Sequence, residues 1–115
     1  MLKEILKEFL QIDGVTSAAV IAHDGFFIEQ IQTGPADTEA LAALGSCAMS
    51  FFSGIGTTMQ MGPVQQIVFE YRAGAIIITR VSDDELIAII TDTKIPLGRL
   101  TYMLPKISSR MAAVI

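Results

Sequence analysis

The chain has 115 residues, which suffice for one compact domain with a buried core and are too few for two. Its net charge of −4 and its scattered Lys and Arg residues disfavour a nucleic-acid-binding protein, whereas its 51% hydrophobic composition favours self-association. Cys47 is the only cysteine, so a disulfide framework and a cysteine-based metal site are excluded, and we expect a single domain over residues 1–115 in a reducing, cytoplasmic setting.

The first predicted elements are a helix and a β-hairpin. Apolar residues spaced by three and four predict a one-faced helix over residues 2–10, and its charged positions are unlike those of a signal peptide. β-Branched residues predict strands over 15–21 and 26–31. Asp24-Gly25 lies between the strands, and glycine supplies the positive φ that a tight hairpin turn needs.

The second predicted helix is almost uncharged. Asp37 or Thr38 caps its first turn, and the helix is predicted to run to about Met59. After Glu39, no Asp, Glu, Lys or Arg occurs before Glu70. The length suits a membrane span, but several Gly, Ser, Thr and Gln residues make insertion into lipid unfavourable, so we expect no membrane span.

The second half of the chain is predicted to form a β-meander followed by a closing helix. Strands are predicted over 64–71, 75–81 and 86–91, and the last two are almost continuously apolar, as in strands covered on both faces. Pro96 suits the first position of the helix, and Pro105 is expected to kink it. The order α-β-β-α-β-β-β-α predicts an α+β sandwich with a five-stranded, mainly antiparallel sheet and helices on both faces.

A helical wheel divides the second helix into two stripes. We expect the stripe of larger side chains to pack on the sheet: Leu41, Leu44, Ala48, Phe51, Phe52, Ile55 and Met59. The other stripe consists mostly of small residues, which allow a second protein backbone to come close, with an adaptable methionine at its centre. With Phe52 and two residues of the following strand, that stripe is the predicted dimer or partner interface: Ala42, Ser46, Met49, Phe52, Ser53, Gly56, Gln60, Gln66 and Val68.

The strand over 64–71 supports self-association. The meander places it at a sheet edge, where unpaired backbone groups invite another strand. A two-fold axis would join edge to edge and helix to helix, in an isologous dimer with one continuous sheet. The alternative, in which the second helix is buried within its own domain, stays open.

The chain resembles the Roadblock/dynein light-chain family over nearly its whole length. After an amphipathic first helix, the resemblance rests on IDGVTSAAVIAHDGFFIEQ (12–30), DTEALAALGSCA (37–48), DDELIAII (83–90) and IPLGRL (95–100). Their order and spacing are more specific than any one of them. The chain is most similar to the stand-alone prokaryotic members, including the gliding-motility-type regulators.

The resemblance implies a homodimer, or a heterodimer with a paralogue, in which the second helices pack together beside a sheet that continues across the two-fold axis. It also implies a small Ras-like GTPase as partner, whose hydrolysis or localisation the dimer regulates in signalling or cell polarity. The chain is not expected to be that GTPase itself, because SGIGTT at 53–58 lacks the lysine of a phosphate-binding loop. The resemblance implies a regulatory or binding protein rather than an enzyme.

Two mechanisms of regulation follow from such a partner. In one, an arginine of this chain enters the GTPase site, the candidates being Arg72, Arg80, Arg99 and Arg110. In the other, which we favour, the dimer holds the switch loops of the GTPase in a competent arrangement.

The other chemistry-bearing residues predict no catalytic group, cofactor or metal site. His23 is a lone turn histidine, Cys47 lacks an identifiable base and is expected to pack as a small hydrophobe, and the acidic stretch 83–85 lacks the spacing of a calcium loop. Two alternative functions stay open. One is a non-catalytic scaffold or motor-associated light-chain-like subunit, and the other is a small-molecule sensor, for which Tyr71 and Tyr102 are among the few polar candidates.

Overall fold

The computed structural model describes residues 2–32, 37–93 and 97–114. Its elements are α1 (Leu2–Leu10), β1 (Val15–Ala22), β2 (Phe27–Gln32), α2 (Thr38–Thr58), β3 (Gln66–Tyr71), β4 (Gly74–Arg80), β5 (Glu85–Thr91) and α3 (Leu97–Ala112). This order confirms the predicted α+β fold. Pro96 lies outside the described residues, and the kink expected at Pro105 stays a prediction, with α3 assigned as one helix through that residue.

The five strands form one antiparallel sheet in the order β2-β1-β5-β4-β3. β3 is therefore an edge strand, as predicted, and β2 forms the other edge. In the register of the central strands, Ala19 of β1 lies opposite Ala88 of β5. Because these side chains are small, a helix backbone can approach the middle of one face of the sheet closely.

α1 and α3 cover one face of the sheet. Their apolar stripes meet in a shared core, in which Phe9, Leu104 and Met111 are fully buried. The strands contribute side chains from one face to the same core: Val15, Ala18, Val20, Ile77, Ile87 and Ile89. The amphipathic periodicity of both helices is thus explained by a core formed within the chain.

α2 covers the other face, and it does so with the stripe that was predicted to face a partner. Ala42 is fully buried and Met49 is 3% exposed, and both belong to a core with Ile21, Ile78 and Leu86. Most of the larger side chains expected to pack on the sheet are exposed instead. The assignment of the two stripes of α2 from the sequence is therefore wrong.

The close approach of α2 to the sheet gives the physical reason for this reversal. A Cβ atom added at Gly45 would lie 3.0 Å from Cδ1 of Ile78, so the helix backbone lies close enough to the sheet that even a methyl group there would press on this side chain. Ser46 is also directed inward, and its hydroxyl donates a hydrogen bond to the backbone carbonyl of His23 in the β1–β2 turn. Small residues face the sheet because the helix backbone lies near it, and the bulky residues occupy the outer side.

The local signals at the ends of these elements are confirmed. Asp24-Gly25 forms the turn between β1 and β2, with Gly25 at a φ of +97°. Asp37 is the N-cap of α2, and its Oδ1 accepts a hydrogen bond from the backbone N–H of Ala40 at 3.0 Å. The cap fixes where α2 begins and hence which of its residues meet the sheet.

Candidate functional site

An exposed apolar stripe runs along the outer side of α2. Its large members are Leu44, Phe51, Ile55 and the C-cap residue Met59, which are 69, 68, 51 and 65% exposed, respectively. The stripe extends about 22 Å along the helix axis, given a rise of ~1.5 Å per residue. The sequence places no charged side chain anywhere along it.

α2 has the length and apolar composition of a membrane-spanning helix over Glu39–Thr58. One side of it is nevertheless packed on the sheet through Ala42, Ser46 and Met49. The outer stripe therefore lacks a covering surface within the described residues. A contiguous exposed apolar patch of this kind marks an interaction site in a soluble protein.

An apolar cleft adjoins the stripe, because α2 leaves part of the sheet uncovered. The cleft has a volume of about 150 Å³ and lies between α2 and the strands β3 and β4. Its lining is almost entirely apolar: Leu41, Leu44, Gly45, Ala48, Phe69, Tyr71, Ile76 and Ile78. On α2, the rings of Phe51 and Phe52 meet edge to face with centroids 5.3 Å apart, which adds an aromatic pair to the same surface.

β3 continues this surface to the edge of the sheet. Phe69 and Tyr71 lie on the α2 side of the strand with ring centroids 6.5 Å apart, and Tyr71 is exposed. In the described part of the chain only β4 pairs with β3, so the outer backbone edge is open to another strand. We call the following set the α2–β3 face: Leu44, Phe51, Phe52, Ile55 and Met59 with Phe69 and Tyr71.

The residues predicted for the interface separate into two groups. Ala42, Ser46 and Met49 are buried between α2 and the sheet, so their side chains are not a surface for a partner. The others are half-buried or exposed: Phe52, Ser53, Gly56, Gln60, Gln66 and Val68.

Two of these residues hold the loop that follows α2. The hydroxyl oxygen of Ser53 accepts a hydrogen bond from the backbone N–H of Val64 at 3.1 Å. A Cβ atom at Gly56 would lie 2.1 Å from the carbonyl oxygen of Gly62, so only glycine fits there without movement of the loop. Both residues position β3 beside α2 rather than forming the surface itself.

The sequence interpretation left most of the α2–β3 face out of the interface. Leu44, Phe51 and Ile55 were assigned to the interior because they are large and apolar. The available signal was the position of the small residues, since Ala42, Gly45 and Ser46 lie on one side of the helix and permit it to lie close to a sheet.

The remaining candidates lie outside the α2–β3 face. His23, Asp83 and Asp84 belong to turns rather than to that face, in agreement with the expectation of turn residues. Cys47 is exposed on α2, so the expectation that it packs in the interior is wrong; it lies beside the outer stripe rather than on the sheet side. Among the described residues, no group of three or more His, Cys, Asp or Glu side chains is arranged to hold a metal ion.

The four arginines are divided between two other regions. Arg80 is half-buried and its Nε donates to the carbonyl oxygen of Val64 at 3.3 Å, whereas Arg72 is exposed after β3. Arg99 and Arg110 lie on α3. The hydrogen bond to a neighbouring Glu8 raises the pKa of Arg110 above its usual value. α2 itself contains no arginine.

The comparison with known sequences agrees with this architecture. The family description of the Roadblock/LC7 domain matches residues 1–91 of the chain. The chain belongs to the Roadblock/LC7 family. Two uncharacterized proteins of Methanocaldococcus jannaschii, MJ0310 and MJ1340, are each 23% identical to this Roadblock protein over 114 residues, which is 99% of this chain and 99% of each relative.

Solved structures of Roadblock proteins share the fold. The gliding protein MglB from Thermus thermophilus superposes with a TM-score of 0.90 at 19% identity, over 97% of this chain and 86% of that chain. A Roadblock/LC7 domain from Streptomyces avermitilis gives a TM-score of 0.88 at 18% identity, over 96% and 94%. A structure of MglB with a tetrameric arrangement gives 0.91 at 18% identity, over 97% and 85%.

Proposed function

We propose that this Roadblock protein forms a homodimer through its α2–β3 face. The observation that supports the proposal is the uncharged stripe of Leu44, Phe51, Ile55 and Met59, which stays exposed beside an apolar cleft. Fully burying such a side chain is favourable by roughly 1.5–3 kcal/mol. A second copy offers the same stripe and the same cleft, and a two-fold axis presents each to the other.

In the proposed dimer, the two α2 helices lie side by side and the β3 strands pair across the axis. Pairing of β3 with its copy satisfies the backbone groups along the open edge and joins the two sheets into one. The outer flank of α2, on which Ser50 is exposed, remains accessible to a further partner.

We further propose that the dimer acts in the cytoplasm as a regulator of a small Ras-like GTPase. Membership of the Roadblock/LC7 family and the fold shared with the gliding protein MglB support this role. The chain has no phosphate-binding loop of its own, in keeping with a regulatory or binding protein. We favour stimulation through the arrangement of the switch loops of the GTPase over an arginine finger, since α2 carries no arginine.

The partner is tested by capture from a lysate of the native organism. The purified protein is immobilised, the lysate is supplied with either GDP or a non-hydrolysable GTP analogue, and retained proteins are identified by mass spectrometry. We expect a small GTPase to be retained at least about fivefold better with the analogue, because a regulator of this type binds the two nucleotide states differently.

Purification of that GTPase allows its rate of GTP hydrolysis to be measured with and without this protein. We expect stimulation by the wild-type protein and no stimulation by Ile55→Glu, which places a charge in the α2–β3 face. Equal retention of the GTPase in both nucleotide states, together with an unchanged rate of hydrolysis, would indicate a scaffold rather than a regulator. Retention of no GTPase would contradict the proposal.

A further inference from the structure

Charge is distributed unevenly along the chain. Residues 93–115 contain Lys94, Arg99, Lys106 and Arg110 and no Asp or Glu. Residues 1–92 contain all 12 acidic residues of the protein and the rest of its 8 basic ones. The C-terminal segment is therefore positive in a protein whose net charge is −4.

Three of these cations, which look scattered in the sequence, form one row when α3 is helical. At 100° per residue, Arg99, Lys106 and Arg110 fall within about 40° of the helix circumference and extend about 16 Å along its axis. Met103 lies between them on the same side. All three cationic residues are exposed, and α3 contains no acidic residue that could neutralise them within the helix.

The row borders a groove between α1 and α3. The groove has a volume of about 570 Å³, an apolar part formed by Ile12, Met103 and Ile107, and polar walls. The wall opposite the row is formed by α1 and the turn after it: Glu8, Gln11 and Asp13. α1 and α3 pack on the face of the sheet that α2 does not cover, so a dimer formed through α2 and β3 leaves the groove open.

The ion pair between Glu8 and Arg110 shows how the groove binds a carboxylate. Arg110 donates from Nη1 to Oε1 of Glu8 at 2.7 Å. Lys106 is held above the ring of Tyr102, with Nζ 4.6 Å from the ring centroid. Within residues 2–32, 37–93 and 97–114, neither Arg99 nor Lys106 has a carboxylate at ion-pair distance. Two cations of the row are thus available to a ligand.

We propose that the α1–α3 groove binds an acidic, amphipathic segment of a partner protein. The apolar side chains of the segment pack on the half-buried Met103, and its carboxylates pair with Arg99 and Lys106 through charge-assisted hydrogen bonds. Asp13 and Glu8 repel carboxylates from the opposite wall, which orients the acidic side of the segment toward α3. The acidic remainder of the chain repels extended polyanions such as nucleic acid or an anionic membrane, whereas a short segment contacts only the groove.

A labelled peptide of Glu and Leu, about 12 residues long so that its helix matches the ~16 Å row, is a suitable probe. Its affinity for the full-length protein is measured by fluorescence anisotropy at low ionic strength, where charge pairs are least screened. We expect Arg99→Gln/Lys106→Gln to weaken binding by about tenfold or more, because it removes both unpaired cations. The matched control Lys3→Gln/Arg72→Gln has the same change in net charge outside the groove and is expected to change affinity less than about twofold.

A second variant distinguishes binding in the groove from general electrostatic attraction between the peptide and the protein. Glu8→Gln releases Arg110 and is expected to tighten peptide binding a few-fold, roughly in line with adding one charged contact. The proposal would be overturned if both double variants lost affinity for the peptide equally, or if a peptide with Gln in place of Glu bound as well as the acidic one. It would also be overturned if the acidic peptide did not bind at low salt. Groove-dependent binding to vesicles of phosphatidylserine and phosphatidylcholine without peptide binding would also overturn it. None of these results bears on the α2–β3 dimer, whose mass both double variants are expected to retain.

Discussion

On one face of the sheet, α1 and α3 together seal a core in which Phe9 and Leu104 are fully buried. On the other face, α2 alone packs over β1, β2 and β5 and leaves a cleft toward β3 and β4. α1 and α3 have polar outer sides, whereas α2 is uncharged on both sides after Glu39. A one-faced helix is buried within the chain, but a helix that is apolar on two sides needs a second surface, and the proposed dimer supplies that surface from another copy.

The largest expected effect comes from removing a side chain of the sealed core. Phe9→Ala should lower the free energy of unfolding by about 3–5 kcal/mol, because it removes a fully buried aromatic ring and leaves a cavity. Urea denaturation in the Ile55→Glu background, which we expect to be monomeric, measures this loss. In the same background Phe51→Ala should cost less than about 0.5 kcal/mol, since Phe51 is exposed. Comparable losses at the two positions would contradict the contrast between the faces.

A smaller effect distinguishes two glycines of α2 by their surroundings. Gly56→Ala should destabilise the protein by about 1–3 kcal/mol, since its new Cβ atom overlaps the carbonyl oxygen of Gly62. Gly54→Ala meets no atom within 4 Å and should stabilise the helix by up to about 1 kcal/mol. Thermal unfolding of the two variants gives the comparison directly. A stabilised Gly56→Ala variant would show that the loop after α2 is not held as described.

The smallest predicted effect concerns the start of α2. Asp37→Ala should cost about 1 kcal/mol, because the carboxylate no longer accepts the backbone N–H of Ala40. Glu39→Ala, in the same first turn but without that capping role, should cost less than about half as much. Chemical denaturation measures the free energy of unfolding of both variants. Equal losses would mean that the charge of the first turn, and not the cap, stabilises α2.

Much of the fold follows from local signals in the sequence. The periodicity of α1 and α3 is decisive because each has one apolar side, and Asp24-Gly25 and Asp37 mark a turn and a cap by their own chemistry. The meander predicted β3 at the edge because sequential antiparallel strands are usually neighbours. These signals depend on residues close together in the chain, so they are readable without the tertiary structure.

Local signals in the sequence did not predict which side of α2 faces the sheet. Its two stripes are both uncharged, so hydrophobicity does not rank them, and the choice depends on how closely the helix backbone approaches Ala19, Ala88 and Ile78. That distance is set by side chains far away in sequence. The row of cations on α3 is not apparent along the sequence for a related reason, since Arg99, Lys106 and Arg110 are spaced by seven and four and align only on a helix.

The most direct test of the central claim is the mass of the protein in solution, measured by sedimentation equilibrium for the wild type, Ile55→Glu and Ser50→Glu. Ser50 is the matched control, because it is exposed on the same helix about 140° around the axis from Ile55. We predict twice the chain mass for the wild type and for Ser50→Glu, and the single-chain mass of 12.4 kDa for Ile55→Glu. A monomeric wild type, or a dimer that survives Ile55→Glu, would contradict the assignment of the α2–β3 face as the dimer interface.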